Sequence, residues 1–236
     1  MFMSVNQIVE FLAAVLPALA LLVYVYKKDK VEKEPFGLLV RLLIRGVLAA
    51  FVAIVLEIVG ETVVDMYIDA ESYWYGIIFA FFVVAAAEEG AKYFLMKWLT
   101  WKNPNFNFRF DGIIYAVFVS LGFAAFENIG YVAGYGLSVA PMRAILSIPG
   151  HMAFAVYMGY YYGRAKWLAN YGYAEESRSS RRTSLLSAIF YHGFYDACLM
   201  VGTGLSFAIF VVFVIVIYYR AFKTISTESK TDAPII

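Results

Sequence analysis

Hydrophobic residues occur in long blocks along this chain, and polar and charged residues collect between the blocks. The blocks predict transmembrane α-helices over residues 7–26, 37–59, 74–98, 112–134, 143–166, 184–202 and 204–222. Each block has about 20 residues, the length that a helix needs to cross a hydrocarbon core of ~30 Å. In lipid only helices and closed barrels satisfy every backbone polar group, and blocks this long are helical. The predicted fold class is therefore an all-α polytopic transmembrane bundle of about seven to eight spans, forming one integral-membrane domain over residues 1–236.

The polar connections add three expectations. Gly202 and Gly204 bracket the only plausible turn between the last two blocks, so residues 184–222 form either a tight hairpin or one broken helix. Residues 167–183, which include Ser-Arg-Ser-Ser-Arg-Arg, are expected to form a basic cytoplasmic loop. Residues 224–236 are expected to form a C-terminal tail.

Lysine and arginine residues predict the orientation of the bundle. Of the 19 basic residues, all except Lys92 and Arg143 fall on alternate connections, on one side of the predicted bundle. Cytoplasmic connections are enriched in lysine and arginine, so the N-terminus is expected outside and the C-terminus in the cytoplasm. The net charge of +1 indicates neither a nucleic-acid partner nor an acidic one. Because 62% of the residues are hydrophobic, the expected surroundings are the lipid bilayer.

Four predicted spans carry polar residues that are costly to place in lipid. Such residues face a bundle interior or a wet cavity and commonly mark a functional site. The candidate site residues are Glu88, Glu89, Lys92, Glu127, Asn128, His151, His192 and Asp196. The two histidines of this set are the only two in the sequence. Estimated depths allow all four spans to bring these residues together between the midplane and the outer half of the membrane.

Helical spacing predicts contacts within the set. Glu88 and Lys92 are four residues apart and share a helix face, so they can pair. Glu89 is three residues from Lys92, so one of the two carboxylates is expected to be neutralised while the other stays available. His192 and Asp196 share a face in the same way, and an aspartate can fix the tautomer of an imidazole. His151 follows Pro149-Gly150, where the helical hydrogen bonding is expected to be disturbed.

Two polar residues near span ends are expected to have no role in the site. Glu57 and Arg143 lie close to the outer boundaries of their predicted spans. Both side chains are long enough to reach the interface.

The order of these motifs resembles the PrsW family of bacterial intramembrane proteases. The resemblance covers residues 80–200 and is carried by Glu88-Glu89-x-x-Lys92, by Phe-x-x-x-Glu127-Asn128, by His151 and by His192-x-x-x-Asp196. That family is similar to the wider group of CAAX prenyl proteases and bacteriocin-processing proteins, whose patterns are Glu-Glu-x-x-x-Arg, Phe-x-x-x-His and His-x-x-x-Asn/Asp. This chain departs from the wider group by having Lys92 three residues after Glu89 and Glu127 where a histidine would stand.

The resemblance implies a peptidase in the bacterial cytoplasmic membrane that cuts a membrane-anchored protein. For PrsW-like members the implied substrate is a single-span anti-sigma factor, which receives its first cut on the extracytoplasmic side during envelope stress. The residues 80–200 are then the catalytic core.

Two ways of activating water remain open from the residues. In one, a carboxylate of Glu88 or Glu89 acts as general base, and His192 and Asn128 stabilise the oxyanion. In the other, Glu127, His151 and His192 hold a metal ion such as Zn²⁺ and leave an open position for water. The sequence has no His-Glu-x-x-His pair, so metal dependence is a hypothesis.

Two other function classes fit the same intramembrane residues. A proton-coupled transporter or channel would use the carboxylates and histidines as a relay. The lack of an evident internal repeat counts against transporter folds built from duplicated halves. A non-catalytic receptor or scaffold with a polar core is the other alternative.

Overall fold

The computed structural model describes residues 4–235, most of which are helical. The α-helices are α1 Val5–Lys28, α2 Phe36–Tyr67, α3 Tyr73–Ile78, α4 Ala86–Thr100, α5 Asp111–Tyr135, α6 Ala140–Met142, α7 Ile148–Asn170, α8 Ala174–Met200 and α9 Gly204–Glu228. A π-helical segment, Phe79–Ala85, joins α3 to α4, and another, Arg143–Ser147, joins α6 to α7. Among the described residues this gives seven long rods, in the order that the hydrophobic blocks predict.

Five helical segments within residues 4–235 are long and apolar enough to cross a membrane. They are Val5–Lys28, Phe36–Tyr67, Asp111–Tyr135, Leu137–Asn170 and Gly204–Glu228. The α3–α4 rod and α8 pack among them and carry the acidic pair and His192, which lowers their apolar character. The prediction of a polytopic helical membrane protein is confirmed.

The connections between α7 and α8 and between α8 and α9 are both short. Val201–Thr203 separates α8 from α9, and Gly202 adopts a positive φ of 64°, so residues 184–222 form two helices joined by a tight turn. The predicted loop over 167–183 is wrong for most of its length, because α7 continues to Asn170 and α8 begins at Ala174. Ser177 and Ser180 are buried there and donate hydrogen bonds to carbonyl groups of α7, to Ala165 at 2.7 Å and to Tyr161 at 3.0 Å.

The inner helices of the bundle are α5 and α7. In its most apolar stretch α5 is 78% buried, whereas α1 is 17% buried. Close approach of α5 and α7 depends on glycine: a Cβ atom on Gly112 would lie 2.6 Å from the carbonyl oxygen of Gly159 and from the amide nitrogen of Gly163. Small residues of this kind let helix backbones pack closely in membranes. The α5–α7 pair therefore forms the rigid centre that holds two of the site-bearing elements.

The C-terminal tail packs against the basic end of the bundle, the end formed by the connections 29–35, 101–110 and 171–173. The Asp232 carboxylate accepts from the Phe110 amide at 2.9 Å, and the Ile235 amide donates to the Asn107 carbonyl at 2.6 Å. Ser229 donates to the carbonyl of Lys28. The tail expected over 224–236 is thus helical up to Glu228 and docked up to residue 235.

Candidate active site

Four rods bring the predicted polar residues to one place in the bundle. Two of these rods contain a π-helical segment directly before their site residues: Phe79–Ala85 precedes Glu88 and Glu89, and Arg143–Ser147 precedes His151. Pro149 has no N–H to donate to the helix, which accounts for the irregular hydrogen bonding before His151. Single π-helical turns inside α-helices occur frequently at functional sites. Here they set the rotation at which the acidic pair and His151 meet.

Lys92 lies at the centre of the buried cluster. Its ammonium donates to Glu88 Oε2 and to Glu89 Oε1, both at 2.8 Å, and lies 3.2 Å from His151 Nδ1. Glu88 is 5% exposed, Glu89 0% and Lys92 1%. The expectation that Lys92 pairs with Glu88 is confirmed, but the expectation that one of the two carboxylates stays free of Lys92 is wrong. One cation therefore serves two buried carboxylates.

His192 is held by carboxylates on both ring nitrogens. Its Nδ1 lies 2.9 Å from Glu89 Oε1, and its Nε2 lies 3.2 Å from Asp196 Oδ2, one helical turn away. The ring also stacks on Phe154, with ring centroids 5.0 Å apart. These contacts confirm the predicted pairing with Asp196 and fix the orientation of the imidazole.

His151 is oriented from the opposite side of the cluster. Its Nε2 lies 3.1 Å from Glu127 Oε2, and the same oxygen accepts from Arg143 Nη2 at 2.8 Å. Arg143 Nε in turn donates to Asn128 Oδ1 at 2.7 Å. Because Lys92 can only donate to Nδ1, the imidazole accepts there and donates its Nε2–H to Glu127. Glu127 is therefore engaged with Arg143 and His151 together.

Asn128 is fully buried and is directed away from the cluster. Its Nδ2 donates to the carbonyl oxygen of Ala14 in α1 at 2.7 Å, and its Oδ1 accepts from Arg143. Both ends of the amide are thus used to attach α1 and Arg143 to α5. The predicted role in stabilising an oxyanion does not fit this position, because the side chain does not line the cavity described next.

A cavity of about 490 Å³ lies against the cluster. The charged and imidazole side chains that line it are Glu57, Glu88, Glu127, Arg143, His151, His192 and Asp196. Glu89 and Lys92 are close to these groups but lie behind the wall. Met142 and Met200 also line the cavity, and both residues belong to the end of the bundle opposite the basic end. The cavity therefore approaches the bundle surface at that end.

The donor set fits a divalent metal ion. Glu88, Glu89, His151 and His192 each offer a ligand atom, and these four atoms lie within 4.8 Å of one another. Two imidazoles with carboxylates suit zinc. Within residues 4–235 no group forms a hydrogen bond with the buried Glu89 Oε2, so this oxygen can still bind a metal ion. The predicted ligands His151 and His192 belong to this group, whereas the predicted ligand Glu127 does not.

The charge balance of the region also favours a cation. Among the described residues, five carboxylates and two cations lie in this region, so its formal charge is −3 when the histidines are neutral. The carboxylates are those of Glu57, Glu88, Glu89, Glu127 and Asp196, and the cations are Lys92 and Arg143. The Lys92 ammonium contacts three of the four candidate ligand residues. A dication and this ammonium would therefore compete for the same carboxylates.

Two residues of the cavity wall were missed from the sequence. Glu57 and Arg143 were expected at the outer interface, but Glu57 is half-buried in the cavity wall and Arg143 binds Glu127. Arg143 also lies over the ring of Tyr131, 3.7 Å from its centroid. The only signal in the sequence was a charge slightly inside a hydrophobic block, and that signal fits interface residues equally well.

Comparison with known proteins identifies relatives over most of the chain. Residues 34–220 match the family model described as "PrsW family intramembrane metalloprotease". The chain is 35% identical to "Protease PrsW" of Oceanobacillus iheyensis over 186 residues, which cover 78% of this chain and 80% of the relative. It is 31% identical to "Protease PrsW" of Halalkalibacterium halodurans over 222 residues, with 93% and 97% coverage. The protein of the same name from Bacillus subtilis is 33% identical over 186 residues, with 78% and 79% coverage. No solved structure gives a significant match.

Proposed function

The chain belongs to the PrsW family of intramembrane metalloproteases, and from this premise we propose that it cuts a single-span membrane protein in the outer half of the bacterial cytoplasmic membrane. Family membership makes it a membrane-embedded peptidase and disfavours the transporter and the scaffold. The observation that carries the proposed site is the convergence of Glu88, Glu89, His151 and His192, buried inside a helix bundle and next to a cavity. Isolated structural ion pairs do not require such a cavity.

We propose that Glu89, His151 and His192 hold the metal ion, that the ion is zinc, and that Glu88, the fourth member of the group, remains free to accept a proton. When bound, zinc polarises the scissile carbonyl and makes a water molecule more nucleophilic. Glu127 and Asp196 act on the distal nitrogens of the two imidazoles and keep each ring in one orientation. Carboxylates in this second layer hold histidine ligands in the correct tautomer. They are positioning residues.

Glu88, whose carboxylate lines the cavity, accepts and donates the proton. As the water oxygen adds to the carbonyl carbon, Glu88 takes the proton and then delivers it to the leaving nitrogen when the C–N bond breaks. Lys92, which does not line the cavity, balances the negative charge of Glu88 and Glu89. Arg143 lines the cavity and offers positive charge for the developing oxyanion, the role first expected for Asn128.

Orientation supports an extracytoplasmic cut. The basic end of the bundle is the cytoplasmic end by the positive-inside rule, so the cavity mouth near Met142 and Met200 faces the outside. Along α5, Glu127 is eight residues from the end at Tyr135, a depth of about 12 Å. The expected substrate is an anti-sigma factor, which has its membrane segment within reach of such a site.

Metal analysis of the purified protein, together with cleavage of a membrane-anchored reporter, tests the proposal. Wild-type protein is expected to contain about one zinc ion per chain. His151→Ala and His192→Ala are expected to lose the metal and the activity together. Glu88→Gln is expected to slow cleavage by about 10²–10⁴-fold, because a general base is lost.

Glu175→Gln is the matched control, because Glu175 is an exposed carboxylate that forms an ion pair with Arg178 on the surface of the bundle, away from the cavity. It should keep both metal and activity. Reporter cleavage by metal-free protein would contradict the metal assignment and shift the chemistry to the carboxylates alone. Full activity in Glu88→Gln would contradict the proposed site.

A further inference from the structure

A second cavity shares a wall with the active-site cavity. This lateral groove, of about 440 Å³, lies between α2 and α5. Glu57, Glu88, Glu127 and Tyr131 line both spaces, so the two meet at the wall that carries Glu88, the proposed proton acceptor.

The lateral groove opens to the side of the bundle. Its floor is made of small buried residues, Ala50 and Ala53 of α2. Its rim is exposed: Ile54 is 47% exposed, Tyr135 is 70% exposed, and a Cβ atom on Gly130 would meet nothing within 4 Å. In a membrane this rim faces lipid, because α2 and α5 are both apolar enough to span.

An aromatic pair lies in the part of the groove nearer the basic end, where Phe126 belongs to the lining. Phe51 and Phe126 pack with ring centroids 4.8 Å apart, one turn below Ile54 and Gly130 along their helices. From Phe123 to Tyr135 the groove spans twelve residues of α5, or about 18 Å. It therefore occupies only the half of the bundle away from the basic end.

We propose that the lateral groove admits the outer end of the substrate's transmembrane segment, unwound, from the lipid into the active-site cavity. This inference rests on the proposed function. The single occupant is a substrate segment because the groove joins lipid, where such a segment resides, to Glu88. Water has a separate entrance, at the mouth near Met142 and Met200.

Glu57 has a role in this arrangement. An unwound segment in lipid carries backbone N–H groups without partners, and each unsatisfied group costs several kcal/mol. The carboxylates of Glu57 and Glu127 line the junction and accept such hydrogen bonds. The junction thus favours an extended strand over an intact helix and exposes a peptide bond to attack.

Filling the groove tests the inference. Gly130→Phe places a ring in the open space above the groove and removes a glycine that disfavours the helix. Cleavage of a single-span reporter is expected to fall at least about tenfold, whereas metal content stays at the wild-type level. Gly134→Phe is the matched control: the residue is one turn further along α5, a Cβ there also meets nothing within 4 Å, and it does not line the groove. Its cleavage should stay within about twofold of wild type.

Cross-linking gives a second readout that does not depend on turnover. In the Glu88→Gln background, Gly130→Cys is expected to form disulfides with cysteines at the outer end of the reporter's membrane segment, and Gly134→Cys is not. The single native cysteine, Cys198, is buried and does not interfere. Normal cleavage by Gly130→Phe, or equal cross-linking at both positions, would contradict substrate entry through the lateral groove but would not contradict the proposed function. Wild-type cleavage by Glu88→Gln would overturn the proposed function itself.

Discussion

Lys92 shows how a single residue can decide whether a buried acidic pair is tolerated. Two carboxylates with almost no solvent exposure would repel each other strongly in a low-dielectric interior. The ammonium bonds both of them and contacts His151, so three chemical groups from two helices depend on one side chain. It also lies over the Phe123 ring, 3.8 Å from the centroid.

Replacing Lys92 by methionine is expected to destabilise the protein by about 3–5 kcal/mol, because removing one partner leaves buried charge without compensation. Thermal unfolding in detergent with a chelator present measures this. Added Zn²⁺ should raise the unfolding midpoint of Lys92→Met more than that of wild type, because a dication can replace the ammonium between the carboxylates.

Lys102→Met, at an exposed lysine in the connection after α4, is the control and should unfold like wild type. Equal midpoints for Lys92→Met and wild type in chelator would show that the ammonium does not stabilise the cluster.

The sequence predicted which residues form the site better than it predicted what each one does. Helical spacing was enough for Glu88 with Lys92 and for His192 with Asp196, because these pairs lie on one helix face. It did not reveal that Asn128 binds α1 or that Arg143 binds Glu127. Those contacts join different helices, and their partners depend on how the helices are rotated against each other.

At the scale of elements, the site depends on irregular helix segments next to tightly packed ones. The π-helical segments rotate the residues that follow them, whereas glycines hold α5 and α7 in close contact. Hydrophobic blocks predicted the helices but not these features, because hydropathy reports length and burial only.

Gly112→Ala is expected to lower stability by about 1–3 kcal/mol, because its Cβ would lie 2.6 Å from backbone atoms of Gly159 and Gly163 and overpack the contact. Gly134→Ala, where a Cβ meets open space, should be neutral or stabilising by the better helix propensity of alanine. Thermal unfolding of the two variants measures the difference. An unfolding midpoint for Gly112→Ala equal to that of Gly134→Ala would show that α5 and α7 can separate without cost.

At the scale of the molecule, the two ends of the bundle differ in chemistry. The active-site cavity lies at the end near Met200. At the basic end, two acidic residues, Asp29 and Glu34, are buried. Burial raises the pKa of Asp29 from 3.8 to about 6, against the opposing effect of Lys33. Burial likewise raises the pKa of Glu34 from 4.5 to about 7, although the hydrogen bond from Tyr115 acts to lower it.

These shifts predict that stability falls as the pH rises. Below about pH 4 the carboxyl groups of Asp29 and Glu34 are protonated in both the folded and the unfolded chain. Between the unfolded and the folded pKa values only the folded chain keeps these protons. The free energy of unfolding therefore falls progressively as the pH rises towards 7. The unfolding midpoint should therefore be lower at pH 8 than at pH 5.5, by at least about 2 °C. Glu34→Gln should reduce this dependence, and Glu71→Gln, at an exposed residue of the other end, should not. An unchanged pH profile in Glu34→Gln would contradict the assignment.

Sequence patterns alone were enough to predict the class of fold, the order of the rods and most of the polar residues that meet inside the bundle. Apolar length is a local property, and charge inside an apolar block is expensive enough to be informative wherever it occurs. The packing of the helices was needed to show that Lys92 binds both glutamates, that Glu57 joins the cavity wall, and that Glu127 binds Arg143 and lies outside the candidate ligand group. These outcomes depend on the rotation and depth of each helix against its neighbours, and that information arises only when side chains from separate spans compete for the same space.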